Sequence, residues 1–148
     1  MDFKNAQELL DLCTVNHLKI SDVMKRRECD LGETPEEDIF QRMSHVLEIM
    51  RDSALSAVKK PRRSMGGLIG GEAKKLNILQ SEGRTVCGPV TGKGIMYAMG
   101  VLEVNASMGL IVAAPTAGSS GIVPGVLLAL QDEYRMEDKQ LIEALFNA

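Results

Sequence analysis

Two short stretches carry the chemistry that this sequence offers. One is Ser64-Met-Gly-Gly-Leu-Ile-Gly-Gly71, with Ser64, Gly66 and Gly67 at its start, and the other is residues 105–121, with Asn105, Thr116, Ala117, Gly118, Ser119 and Ser120. Hydroxyl groups donate and accept hydrogen bonds, and glycines let the backbone turn tightly and approach a ligand. Backbone N–H groups freed from regular structure need a partner, which a small anion such as a carboxylate supplies. Residues 104–131 contain no charged side chain, although charged residues make up 25% of the chain. The second stretch is therefore expected to be the wall of a buried polar site. The structural alternative is a tight helix–helix connection whose small residues permit close packing. The first stretch opens a helix, and the N–H groups of a helix start suit a carboxylate or phosphate.

Other chemistries find less support. Residues 66–71 do not fit Gly-x-Gly-x-x-Gly and follow no strand. Gly88-Pro-Val-Thr-Gly-Lys-Gly94 is one residue short of a phosphate loop, and Gly94 stands where a magnesium-binding Ser or Thr would be needed. Cys13, Cys29 and Cys87 are odd in number and widely spaced, so they read as reduced, mostly structural thiols, Cys13 as core, and no metal site is assigned. His17 and His45 lack a partner at helical spacing, read as solvated, and give no general base. Lys59-Lys-Pro-Arg-Arg63 is the strongest local positive charge. It suits a helix C-terminus, and alternatively draws an anionic substrate toward the glycines that follow.

The chain that must position these residues has 148 residues, enough for one domain with its own core, and a net charge of -3. The acidic balance argues against a nucleic-acid partner. Five aromatic residues against nine methionines leave a core of Leu, Ile, Val, Met and Ala, which favours helices over sheets. The N-terminus shows neither a signal peptide nor a transit pattern, which points to the cytoplasm. Pro115, residues 118–121 and Pro124 interrupt the uncharged stretch, so it is not expected to span a membrane.

The expected fold class is mainly α. Asn5 caps a first helix with Ala6, Leu9, Leu10 and Cys13 on one face. Ser21 and Asp22 start a second, ending near Gly32. Thr34, Pro35 and Glu37 form a capping box for a third, whose stripe of Ile39, Met43, Val46, Leu47, Met50, Ala54, Leu55 and Val58 runs to about Lys60. Further helices are expected over residues 72–79, 89–103, 121–134 and 137–148, with Pro124 in the first turn of the penultimate one. The last stops at Phe146-Asn147-Ala148 without a cap, polar tail or proline, so the sequence is expected to be cut through an element.

Three blocks then carry a resemblance: Gly67-Leu-Ile-Gly-Gly-Glu-Ala-Lys-Lys-Leu76, Glu103-Val-Asn-Ala-Ser-Met-Gly109 and Ala113-Ala-Pro-Thr-Ala-Gly-Ser-Ser-Gly-Ile-Val-Pro-Gly-Val126. In this order and spacing they resemble the N-terminal half of the alpha subunit of the iron–sulfur-dependent L-serine dehydratases, over nearly the whole chain. The resemblance implies a helical catalytic domain, with residues 1–148 as its N-terminal part, that deaminates L-serine to pyruvate and ammonia without pyridoxal phosphate. It also implies a four-iron four-sulfur (4Fe-4S) cluster in the complete enzyme, with one iron binding the substrate hydroxyl. The family's cluster cysteines lie in later segments, so the ligands are not expected in this chain, which alone would be inactive. A beta subunit and homo-oligomeric assembly are the implied partners. The competing expectation is an inactive fragment that binds a small amino acid or anion, or serves subunit assembly.

Overall fold

In a computed structural model that describes residues 2–148, Asn5 does what its position predicts: its side-chain oxygen accepts the Glu8 N–H at 3.0 Å and opens α1 (Ala6–Asn16). The Glu8 carboxylate answers by accepting from the Lys4 N–H at 2.7 Å. The second helix, α2 (Ile20–Gly32), starts a residue earlier than expected, because the Asp22 carboxylate accepts the Lys19 N–H and fixes the turn there. Next comes α3 (Glu36–Lys59), whose buried stripe is Ile39, Leu47, Met50, Ala54 and Ala57, with Met43, Val46, Leu55 and Val58 half-buried beside it. The Thr34 hydroxyl donates to the Gly32 carbonyl at 2.8 Å, and Pro35 offers its carbonyl to the Asp38 and Ile39 N–H groups. The remaining helices are α4 (Glu72–Ser81), α5 (Gly88–Ala106), α6 (Ser119–Tyr134) and α7 (Asp138–Leu145). The described residues form no strand, so the fold is mainly α, and no described helix is long and apolar enough to cross a membrane.

The chain divides into two units. The first holds the described residues up to His45 together with residues 138–148, where α1 packs on α2 and α2 on α7. Its buried apolar side chains are Val23, Ile39, Leu141, Ile142, Leu145 and Phe146. Ion pairs dress its surface: Lys25 with Asp22 at 3.2 Å and Glu36 at 3.3 Å, and Lys19 with Glu143 at 3.1 Å. Burial works against charge on Lys25, but the hydrogen bonds to Asp22 and Glu36 outweigh it and raise its pKa.

The second unit, Val46–Glu137, contains both glycine-bearing stretches. Its frame is an antiparallel pair, α5 and α6, joined through small residues. A Cβ on Gly125 would lie 2.7 Å from the Gly94 carbonyl oxygen, and one on Gly121 would lie 3.3 Å from that of Ala98. Glycine is needed where two backbones come this close. Gly100 is as tight against the Ala54 carbonyl of α3. Polar contacts reinforce the pair: Lys93 meets Glu133 at 3.1 Å, and the buried Tyr97 hydroxyl donates to Asp132.

The ends of α6 and α7 also differ from expectation. The start of α6 is Ser119 rather than Gly121, because Thr116 and Ser119 exchange capping hydrogen bonds, and Pro124 lies inside the helix rather than in its first turn. At the other end α7 finishes at Leu145, where the Asn147 and Ala148 N–H groups close onto Ala144 and Leu145 as a turn.

Candidate functional site

Residues 64–71 fold back on themselves through Ser64. Its N–H donates to the Ile69 carbonyl at 2.8 Å, and its hydroxyl accepts the Ile69 N–H at 3.1 Å. Gly67, at φ +72, makes the turn between them, and the side chain of Arg63 packs against it. The loop is tied at its start to the last turn of α5 by a bond from the Met65 N–H to the Ala106 carbonyl at 3.1 Å. The expected first wall of Ser64, Gly66 and Gly67 therefore lies beside the α5 end that carries Asn105. Gly66, Gly67 and Asn105 are exposed and Ser64 is half-buried.

Beneath this junction is a residue that the sequence analysis did not single out. Glu103, on the last turn of α5, is 0% exposed, and its Oε1 accepts the Ala73 N–H at 2.8 Å. Its Oε2 has no partner among the described residues. Gly71, the residue before α4, has φ +94 and offers no side-chain cap, so Glu103 caps α4 from a different helix. The Glu72 carboxylate accepts the Gly70 N–H at 2.7 Å, and its own and the Gly70 backbone N–H groups hold it below the usual carboxylate range. One signal was available: Glu103 is the single charged residue from Gly94 to Gln131. An isolated charge in an apolar helical run needs a partner if its face is the buried one.

Thr116 to Ser120 form the second expected wall. The Ser119 hydroxyl accepts from the Thr116 N–H and hydroxyl, both at 3.0 Å, and donates to the Thr116 carbonyl at 2.8 Å. Ser120 donates to the Ala117 carbonyl at 3.0 Å. The loop thus satisfies its hydroxyls internally. It is not the buried wall that its lack of charge suggested: Thr116, Ala117 and Gly118 are exposed, and Ser119 and Ser120 are half-buried. What the local bonding leaves over is backbone. The N–H groups of Ala117, Gly118 and Ser120 have no partner among the described residues, and they cluster at the start of a 16-residue helix. Such an end carries partial positive charge and accommodates anions. No hydrogen bond joins this segment to residues 64–67. Gly121, just after it, packs on Ala98, seven residues or about 10 Å along α5 from Asn105.

A groove of about 540 Å³ runs along the end of α3, lined by Arg51, Asp52, Ser56, Lys59, Arg62 and Leu110, among others. Arg51 is bonded to Gln131 at 3.1 Å. Arg62 leans over Gly109, where a Cβ would lie 2.9 Å from its Nη1. Arg62, in the basic run after α3, therefore faces the loop that follows Asn105. His45 is exposed on α3, and His17 is the exposed left-handed C-cap of α1. Cys13 and Cys29 are half-buried and Cys87 is exposed. Among the described residues, no group of three or more His, Cys, Asp or Glu side chains is gathered that could hold a metal ion.

Comparison with known proteins adds a family to this geometry. The family described as serine dehydratase alpha chain matches residues 15–148. The probable L-serine dehydratase, alpha chain, of Bacillus subtilis (strain 168) is 39% identical over 146 residues, which is 99% of this chain and 48% of the relative. The L-serine dehydratase, alpha chain, of Peptoniphilus asaccharolyticus is 36% identical over 132 residues, 89% of this chain and 45% of the relative. An L-serine dehydratase of Escherichia coli (strain K12) is 31% identical over 142 residues, 90% of this chain and 30% of the relative. The chain spans about half the length of the first two.

Proposed function

Because this chain belongs to the serine dehydratase alpha-chain family, we propose that it takes part in deaminating L-serine to pyruvate and ammonia, and that residues 64–71 and 105–121 bind the substrate. The observation that carries this reading is the set of unpartnered N–H groups of Ala117, Gly118 and Ser120 at the start of α6. They supply donors for the α-carboxylate, while Thr116 and Ser119 hold the loop that presents them. Asn105, Ser64, Gly66 and Gly67 line the neighbouring wall. Fixing the carboxylate fixes where the Cα–H and Cβ–OH bonds point, which governs loss of the α-proton and of hydroxide. The enamine left by dehydration tautomerises and hydrolyses to pyruvate and ammonia.

The iron–sulfur cluster that goes with the family resemblance would assist departure of the hydroxyl. Cys13, Cys29 and Cys87 are not gathered into a ligand set, so these residues do not fit as its ligands. L-serine and a beta subunit are the partners of this reading.

The test is Ser119→Ala in the full-length protein assembled with its partner, followed by pyruvate formation from L-serine. Loss of the capping exchange is expected to lower kcat/KM about 100-fold, with the melting temperature falling by only the few degrees that a lost cap costs. Wild-type kinetics in this variant and in Asn105→Ala would rule out the assignment. The basic groove at Arg62 favours a second reading, a small-anion-binding module, whose own test depends on charge.

A further inference from the structure

We infer that Glu103 is a positioning residue, clamping residues 64–71 onto the last turn of α5 so that the two loops form one site. This rests on the substrate-binding reading above. Two attachments hold the loop, and both come from that single turn: the Ala106 carbonyl takes the Met65 N–H at one end, and the Glu103 carboxylate takes the Ala73 N–H at the other. Asn105 lies on the same turn in sequence and is exposed. A local cap would have been the ordinary solution at the start of α4. Gly71 is held at φ +94, where a residue with a side chain is strained, so the acceptor has to arrive from elsewhere. A carboxylate is heavily disfavoured in a buried position unless it is bonded. Glu103 is 0% exposed, with one oxygen bonded and the other unpartnered among the described residues. Its burial keeps it from touching a ligand. Its effect on the reaction passes through the loop.

The test uses hydrogen exchange and kinetics on the full-length assembled protein. Glu103→Gln keeps the Oε1 acceptor and puts its amide nitrogen where the unpartnered oxygen was, so exchange and kinetics should stay near wild type. Glu103→Ala removes the acceptor, and Glu103→Asp withdraws it while keeping the charge. In both, exchange at the Ala73 amide should accelerate by about tenfold or more while α6 stays protected. KM for L-serine should rise about tenfold with kcat nearly unchanged. Unchanged Ala73 exchange in the Ala and Asp variants would overturn the clamp. So would an equal collapse of kcat in Gln and Ala variants, which would make the carboxylate a chemical group. If the wild-type assembly makes no pyruvate, the functional reading fails, and the exchange result still decides the clamp.

Discussion

Tyr97 shows how one polar side chain can join two apolar helices. Its ring is buried on α5, and its hydroxyl donates to Asp132 of α6. Burial first, then the bond to and the charge of Asp132, push its pKa well above the ordinary 10.0. The neutral phenol is thus favoured by the fold. Its contribution to stability is complete below pH 10.0 and is lost as the pH rises from there toward the folded-state pKa. Tyr97→Phe should cost about 1.5–3 kcal/mol, the range for a hydrogen bond to a charged group. Urea denaturation on either side of pH 10.0 checks both parts: wild type should lose stability faster than the variant above it. At this scale the sequence showed the hydroxyls and glycines, but their lack of charged neighbours suggested a buried wall where the loop is exposed. It did not show that Ser64, Thr116 and Ser119 use their hydroxyls inside their own loops, because those bonds depend on turn geometry. Nor did it show where Glu103 points, since a lone charge at the edge of an apolar run fits either a surface or a core position.

The elements follow local rules wherever the deciding contact is local. Asn5 caps α1 as its spacing required, and the stripe on α3 ends just before Pro61. The start of α6 moved because two hydroxyls three residues apart, on Thr116 and Ser119, outcompete glycine as a helix boundary. Contacts between elements are harder to read. Gly92, Gly94 and Gly100 permit near neighbours by residue type alone, but which neighbour each meets is a tertiary fact. Gly100 faces the α3 backbone at Ala54, which cannot move aside as a side chain can. Gly100→Ala should therefore destabilise by about 1–3 kcal/mol through overpacking. Gly66→Ala, with nothing within 4 Å, should stay within about 0.5 kcal/mol. Chemical denaturation of the two side by side tests whether close backbone approach sets the α3–α5 contact.

Over the whole molecule the net charge is -3, so any attraction for anions has to be local. The groove at Arg51, Lys59 and Arg62, with Asp52 as its one carboxylate, is such a place. Inorganic phosphate should bind there at low ionic strength, weaken steadily with added salt, and weaken further in Arg62→Gln. Calorimetric titration reads this, and binding indifferent to both salt and Arg62 would remove the groove from consideration. Three helices, α1, α2 and α6, end in the left-handed conformation on His17, Glu33 and Arg135, at φ 53, 46 and 53. A side chain there costs about 1 kcal/mol that glycine would not. Latent thermal tolerance is thus built into the ends of three helices, at positions outside both glycine-bearing loops, where an engineer could raise the melting point without touching the candidate chemistry.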